Sequence, residues 1–309
     1  MRTVAITGAT GFVGSKLAKS LARAGYETVL FGRRQNVNVM HWDITSGPRE
    51  GVPKVDAVVH CAAHVDDWSQ YEEAYRVNVV GTNNVLETFP HVERFIFISS
   101  ASVYDPFTGE RELNEDSQCG NFLNAYSRTK REAELAIFQA HHKSRVILRP
   151  HIIYGPGDTT VLPRLLDARR FGYFLVVSNG MNVVSVTHIE NVCVGVQRAL
   201  ESNIPDGYAV FNIADRQQDS VDAIMNELRR TFSITEPILH IPRIPAYALG
   251  AAGESVFRVL NMKHPPLLTR YAVAQMAYGH ALDISKARKV LGYEPLWNYQ
   301  TGFADMKLY

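Results

Sequence analysis

Apolar residues along this chain fall into short runs, separated by segments in which they recur every three or four positions. The runs Arg2 to Ile6, Glu27 to Phe31, Asn38 to Asp43, Val55 to Cys61, Val92 to Ile98 and Arg145 to Leu148 predict strands. The intervening segments from Phe12 to about Ala24, Ser69 to Thr88 and Ala125 to His142 predict helices. Val55 to Cys61 is apolar on both faces, as a central parallel strand must be. Strands and helices alternating at this interval predict an α/β chain organised on a doubly wound parallel sheet.

Two stretches interrupt the alternation. Ala101 to Asn124 is rich in Pro, Gly, Asn and Asp and reads as a long functional loop. Pro150 to Asp158 reads as a turn leaving the core. Beyond it the pattern predicts a helix over Val161 to Arg170, short strands at Phe174 to Val177 and Val183 to Val186, and a helix from His188 to Leu200. A strand at Tyr208 to Ile213 is placed to rejoin the main sheet. The expected organisation is a dinucleotide-binding unit, 1–158 plus 188–214, and a smaller discontinuous substrate lobe, 159–187 plus 215–309. Ile244 to Leu260 reads as a buried helix of that lobe, in preference to a lid or a membrane-facing patch.

Composition narrows the partners. With 309 residues, 46% of them hydrophobic, the chain can bury one large core or two moderate ones. Lys plus Arg (32) balance Asp plus Glu (31), so no net field favours nucleic acid or an anionic membrane, and small molecules or a second copy of the chain are the expected partners. Cys61, Cys119 and Cys193 are widely spaced and odd in number. No histidine or cysteine spacing suits a metal, and no apolar run approaches the ~18 residues of a membrane span. A cytoplasmic location without firm membrane association is expected.

The chemistry begins where the first run stops. Thr7-Gly8-Ala9-Thr10-Gly11-Phe12-Val13-Gly14 passes from strand to helix, which gathers free backbone N–H groups and the positive end of a helix dipole at one point suited to phosphate. The second strand ends at Arg33 and Arg34, where an NAD-binding chain carries an acid; paired guanidinium groups suit a 2′-phosphate, so NADP(H) is favoured over NAD(H). Asp43 is placed either to meet an adenine amino group or to cap the following turn. Asn78, in the middle of a helix, is expected to hold a specific hydrogen bond. Ser99 and Ser100 end the fifth strand, and ligands of doubly wound sheets bind at carboxyl ends. Tyr126 and Lys130 share one helix face, where an ammonium would lower the phenol's pKa from about 10 and make it a proton donor or acceptor.

TGATGFVG, HCAA (60–63), NVVGT (78–82), SSASVY (99–104), YSRTK (126–130), RPHIIYGPGD (149–158) and KARKVLGYEP (286–295) together resemble the extended short-chain dehydrogenase/reductase superfamily over essentially the whole chain. The resemblance implies a Rossmann sheet and a catalytic triad of Ser100, Tyr126 and Lys130, with Lys130 also holding the nicotinamide ribose. It further implies that the glycine turn with Thr10, Phe12 and Val13, Asp43 with Ile44, Cys61, Ala62 and Ala63, Asn78, and Pro150 with Ile153 line the cofactor. His64, Trp68, Tyr104 and His151 are expected at the substrate. The helices carrying Asn78 and Tyr126 often pair between subunits in this superfamily, which implies a homodimer.

Within the superfamily, LRPHIIYGPGD, VLPRLLDARR and SNGMNVVSVTHIENV are most similar to 3β-hydroxysteroid dehydrogenases, sterol C4-decarboxylating dehydrogenases and 2-alkyl-3-oxoalkanoate reductases. These act on hydrophobic alcohols or ketones. Sugar-nucleotide epimerases and dehydratases, the alternative, usually carry an Arg-Asp pair where Val184 and Ser185 stand here. A valine offers a diphosphate no cation. The expected activity is therefore NADP(H)-dependent hydride transfer to or from a largely apolar carbonyl or secondary alcohol. A cofactor-binding sensor without turnover is a third reading, disfavoured because Tyr126 and Lys130 are both present.

Overall fold

The computed structural model describes residues 2–34, 36–109, 112–160, 163, 166, 169–170, 172–204 and 207–307. Its centre is a seven-stranded parallel sheet. The strands are β1 (Thr3–Thr7), β2 (Glu27–Gly32), β3 (Val39–His41), β4 (Ala57–His60), β5 (Arg94–Ile98), β6 (Ser144–Pro150) and β7 (Gly207–Ile213), in the spatial order β7-β6-β5-β4-β1-β2-β3. The order reverses beside β1, so the carboxyl ends of β1 and β4 flank a crevice. The predicted return of the chain to the sheet occurs at β7, which pairs with β6 from Gly207↔Ser144 to Ile213↔Pro150.

Helix α1 (Phe12–Arg23) buries Leu17 and Leu21 on one face of the sheet. On the other lies a continuous helical segment made of α2 (Tyr71–Tyr75), a wider π-helical turn at Arg76–Val80, and α3 (Gly81–Thr88). Next comes α4 (Ala125–Gln139), started by Asn124, whose side-chain oxygen accepts from Ser127 N at 2.8 Å. Two apolar cores result, one around Ile6, Leu17, Val59 and Ile96, the other around Phe31, Val58, Phe95 and Ile137.

Past β6 the chain forms short pairings: Ile153–Tyr154 with Thr187–His188, Val183–Val184 with Asp219–Ser220, and Tyr173–Val177 between Ile238–Ile241 and Arg169–Arg170. Most of the helix predicted over 161–170 lies outside the described residues, and its last two, Arg169 and Arg170, form a strand. Further helices among the described residues are α5 (Ile189–Glu201), α6 (Val221–Thr231), α7 (Arg243–Val259), α8 (Arg270–Tyr278) and α9 (Tyr299–Met306), with a π-helical turn at Ala287–Leu291.

Helix α7 corrects an expectation. It was expected to be a buried helix over Ile244 to Leu260, yet Ile244, Leu249, Val256, Val259 and Leu260 are exposed. Its fully buried residues are Ala246, Gly250 and Glu254. Small residues let α7 approach α8 closely, and Glu254 anchors it by accepting from Arg270 Nε at 2.8 Å. Apolar content alone could not tell which side of the helix meets the protein. No helix among the described residues is long and apolar enough to cross a membrane.

A buried carboxylate joins the sheet to these outer elements. Asp215 follows β7; its Oδ1 accepts from His188 N at 2.6 Å and Asn191 Nδ2 at 2.7 Å, and its Oδ2 from the Tyr154 hydroxyl at 2.6 Å. Asn191 in turn accepts from Leu296 N and Trp297 N, which fastens the C-terminal segment onto α5. Burial pushes the Asp215 carboxyl up to about 6, outweighing these donors. A carboxyl raised on folding stabilises the protein while protonated, and that contribution is lost as pH rises through the folded value. Asp215→Asn should remove a stability loss of roughly 3 kcal/mol between about pH 4 and pH 6. Parallel urea titrations of both proteins across that range would check it, and curves that stay parallel would refute it.

Candidate active site

The glycine turn joins β1 to α1 at the crevice. Gly8 has φ 70°, and a Cβ there would lie 2.6 Å from Ala62 N at the end of β4. A Cβ on Gly14 would lie 2.2 Å from Gly8 O. Both positions therefore exclude side chains and keep a cradle of backbone open at the start of α1. Phe12 and Val13 are half-buried on the first turn of α1, and Thr10 touches Gly32 at the end of β2. Arg33 and Arg34 follow Gly32 and are exposed. The chemistry of this cradle fits a dinucleotide phosphate.

Asp43 caps the following turn: Oδ1 accepts from Thr45 N at 2.9 Å and Thr45 Oγ1 at 2.8 Å, holding a short turn at Ile44–Ser46. The Thr45 bonds, with Arg33 contributing, lower its carboxyl below the usual range. Ile44 is buried against Gly81. Cys61, Ala62 and Ala63 are half-buried beside the glycine turn, and burial pushes the Cys61 thiol up, away from thiolate chemistry.

A chain of buried hydrogen bonds runs beneath this crevice. Thr7 Oγ1 meets His60 Nδ1 at 2.6 Å, His60 Nε2 meets Thr82 Oγ1 at 2.9 Å, and Thr82 donates to Asn78 O at 2.6 Å. Since the Thr82 proton goes to that carbonyl, the network assigns the His60 proton to Nε2. Burial, aided by Lys130, lowers His60 to about 3, so it stays neutral. Asn78 accepts from His64 N at 2.7 Å and donates to His64 O and to Thr129 Oγ1. Its expected specific hydrogen bond exists, but the amide is committed to protein partners, and Asn78 shapes the 61–64 segment instead of presenting a free donor.

At the carboxyl end of β5, Ser100 Oγ accepts from Ser102 N at 3.1 Å, and the Ser100 hydroxyl acts on the Tyr126 phenol against the effect of burial. Lys130 is buried, with its ammonium donating to Ile98 O at 2.6 Å and lying 4.0 Å from the centre of the Phe97 ring. The structure therefore brings Ser100, Tyr126 and Lys130 around one strand end. One expectation fails: burial pushes the Tyr126 phenol up to about 12, with Ser100 opposing, and the Lys130 ammonium does not lower it. Burial also lowers Lys130 to about 7. Pointing at Ile98 O, the amine spends its field on a carbonyl and an aromatic face.

Of the four residues expected at the substrate, Tyr104 is the clear correction. It is fully buried, its hydroxyl donates to Asn212 Oδ1 at 2.7 Å, and its ring stacks under the Arg149 guanidinium at 4.8 Å. Its neighbour Phe107 instead meets the rings of Tyr247 and Tyr278. Trp68 donates to Met262 O at 3.1 Å beneath Arg258, and His64 is fixed through its backbone by Asn78. His151 is buried just beyond Pro150, ahead of half-buried Ile153.

Glu134 was missed. Fully buried one helical turn after Lys130, it accepts from Ser99 Oγ at 2.6 Å, Arg149 Nε at 2.8 Å, Arg149 NH2 at 2.7 Å and Arg131 NH1 at 2.8 Å. Arg149 holds its carboxyl below the usual range despite burial. The four-residue spacing from Lys130 and the arginine before Pro150 were visible, but nothing local paired them.

A doubly wound sheet with a phosphate cradle at its switch point and a Ser, Tyr and Lys at the next strand end defines a dinucleotide-dependent enzyme of the short-chain dehydrogenase/reductase class. Residues 4–214 match the NAD dependent epimerase/dehydratase family, and the chain belongs to it. The chain is 28% identical to 2-alkyl-3-oxoalkanoate reductase of Shewanella oneidensis over 98% of its own length and 84% of that protein's. It is 30% identical to the decarboxylating sterol-4-alpha-carboxylate 3-dehydrogenase of Bos taurus, over 94% and 87%. Among solved structures, MoeE5 in complex with UDP-glucose and NAD superposes with a TM-score of 0.74 at 23% identity, covering 99% of this chain and 97% of that one. The protein is thus an oxidoreductase of this family that uses a nicotinamide cofactor.

Removing Glu134 would leave Arg149 buried and uncompensated. Glu134→Ala should cost about 3–5 kcal/mol of stability, read as a lowered urea midpoint. A loss under about 1 kcal/mol would show that the pair does not anchor the site.

Proposed function

We propose that the protein is an NADP(H)-dependent oxidoreductase acting on the oxygen-bearing carbon of a largely apolar β-keto or β-hydroxy acid. The observation that carries this reading is the gathering of Ser100, Tyr126 and Lys130 at the end of β5, with Lys130 held on Ile98 O, in the same sheet whose β1 opens the glycine turn. The nicotinamide, when bound, supplies or accepts the hydride. Ser100 holds the substrate oxygen, and Tyr126 gives it a proton as the carbonyl carbon becomes a secondary alcohol, or removes that proton in reverse. A phenol raised to about 12 is protonated at neutral pH and so carries the proton that reduction of a carbonyl requires. Lys130 would hold the nicotinamide ribose with the N–H groups it does not give to Ile98 O.

Two features support the substrate class. Val184 is buried in an apolar cluster with Tyr154, Phe174 and Val186 and offers no cation to a nucleotide diphosphate. The two named relatives also share a relation in their substrates. A 3-oxoalkanoate, and a sterol 4-carboxylate oxidised at carbon 3, each carry the carboxyl on the carbon adjacent to the one that reacts.

Arg33 and Arg34 support NADP(H), since both extend from the β2 end that abuts the glycine turn. A homodimer through the helical segment 71–88 and α4 is part of the reading, supported by exposed Tyr75 and Val80 on the first and Leu135 and Phe138 on the second. The setting is cytoplasmic.

With NADPH and a panel of β-keto acids, alkyl ketones and UDP-sugars, acids and ketones should be reduced and UDP-sugars left unchanged; the reverse pattern would favour the epimerase reading. Tyr126→Phe should lower turnover ~10²- to 10⁴-fold while NADPH fluorescence still reports binding. Arg33→Ala with Arg34→Ala should weaken NADPH roughly tenfold or more and NADH little; equal losses for both cofactors would count against a 2′-phosphate site. Sedimentation equilibrium should give twice the 34.6 kDa chain mass, and a monomer mass would exclude the dimer.

A further inference from the structure

His151, just past β6, and His280, just past α8, meet at one buried place. Ile98 pairs with Leu148, so Pro150 stands level with Ser100, and His151 lies one residue beyond the catalytic serine's level. His280 follows α8 and Gly279, and its carbonyl accepts from Ser185 N at 3.0 Å, beside Val184. The two imidazole centres are 5.4 Å apart, and both residues are buried.

Among the described residues, neither His151 Nε2 nor either ring nitrogen of His280 has a hydrogen-bond partner. A neutral imidazole carries an N–H on one of its two nitrogens, so in either tautomer His280 has an unmet buried donor. Native proteins rarely leave such groups unmet without a use for them. His60 shows the contrast, with both nitrogens engaged.

The backbone between the two walls is also constrained. Ile152 has φ 45°, a conformation that a β-branched residue adopts only when its surroundings enforce it. Thr187 enforces it here: its N–H donates to Ile152 O, and its hydroxyl bonds to both His151 N and His151 O. Asp105 faces His280 from the loop after β5 and favours its protonated form; its own oxygens accept from Phe107 N and Asn121 Nδ2.

We propose that His151 and His280 form the subsite that receives the substrate's carboxyl group while Ser100 and Tyr126 hold the reacting oxygen. The inference rests on the oxidoreductase reading above and adds its specificity. A carboxylate accepts hydrogen bonds only, and it satisfies the unmet imidazole donors with charge-assisted bonds that an ester or plain ketone cannot match. Burial keeps the two rings neutral until such an anion arrives, since opposite charge favours the imidazolium.

The test compares a freshly saponified 2-alkyl-3-oxoalkanoate, its methyl ester and the matched alkyl ketone, with NADPH. Wild-type protein should prefer the acid in kcat/KM on the order of 100-fold. His280→Leu and His151→Leu should each bring the acid-to-ketone ratio down at least tenfold, and His280→Gln should recover part of it. Reduction of acid and ketone with equal kcat/KM, or an unchanged ratio in both leucine variants, would overturn the subsite and leave the oxidoreductase reading standing. If nothing is reduced, that reading fails. The subsite is then judged by melting temperature with the stable 2-alkyl-3-hydroxyalkanoate, with and without NADPH. A shift caused by the acid but not by its ester, and lost in His280→Leu, supports it; no shift in the wild type sinks it.

Discussion

One buried carboxylate holds the reacting end of this protein together. Glu134 bonds at once to Ser99 on β5, Arg149 on β6 and Arg131 on its own helix. Ser100, Tyr126 and Pro150 each lie within eight residues of one of those partners along the chain. An isolated buried charge costs several kcal/mol, so the pair is stable only while its lone pairs and N–H groups are met. That demand fixes the distance from α4 to the ends of β5 and β6. Ser100, Tyr126 and Lys130 inherit the positions it imposes.

The cofactor side is arranged by a second device of opposite character. The hydrogen bonds from Thr7 through His60 and Thr82 to Asn78 are neutral, and they join the ends of β1 and β4 to the helical segment 71–88. They coincide with the π-helical turn at Arg76–Val80, which widens the helix where Asn78 turns to hold His64 and Thr129. The glycine turn rests on this framework, since the end of β4 approaches Gly8 too closely for any side chain. The glycine turn and the cluster of Ser100, Tyr126 and Lys130 are thus kept in register by two polar networks set into an otherwise apolar sheet.

Burial sets the protonation states across the site. It raises Tyr126, lowers Lys130 to about 7 and keeps His60 neutral. The expected electrostatic partnership of tyrosine and lysine is instead divided: Ser100 attends the phenol, and Lys130 is tethered to the strand carbonyl. A helix spacing of four residues brings two side chains to one face without saying which neighbour each will choose.

Local pattern carried much of this architecture. The period of the apolar residues located the strands of the sheet and its long helices, and the glycine turn with Tyr126, Lys130 and Ser100 could be read as a set, because backbone conformation and side-chain direction at those positions follow from near neighbours. What the chain could not announce were the pairings between distant segments. Glu134 with Arg149, Asp215 with Tyr154 and His188, and Tyr104 with Asn212 are each joined across 15 or more residues. The outward face of α7 and the meeting of His151 with His280 were equally silent. Solvent exposure and the satisfaction of buried polar groups depend on what lies opposite, and only the folded chain decides that.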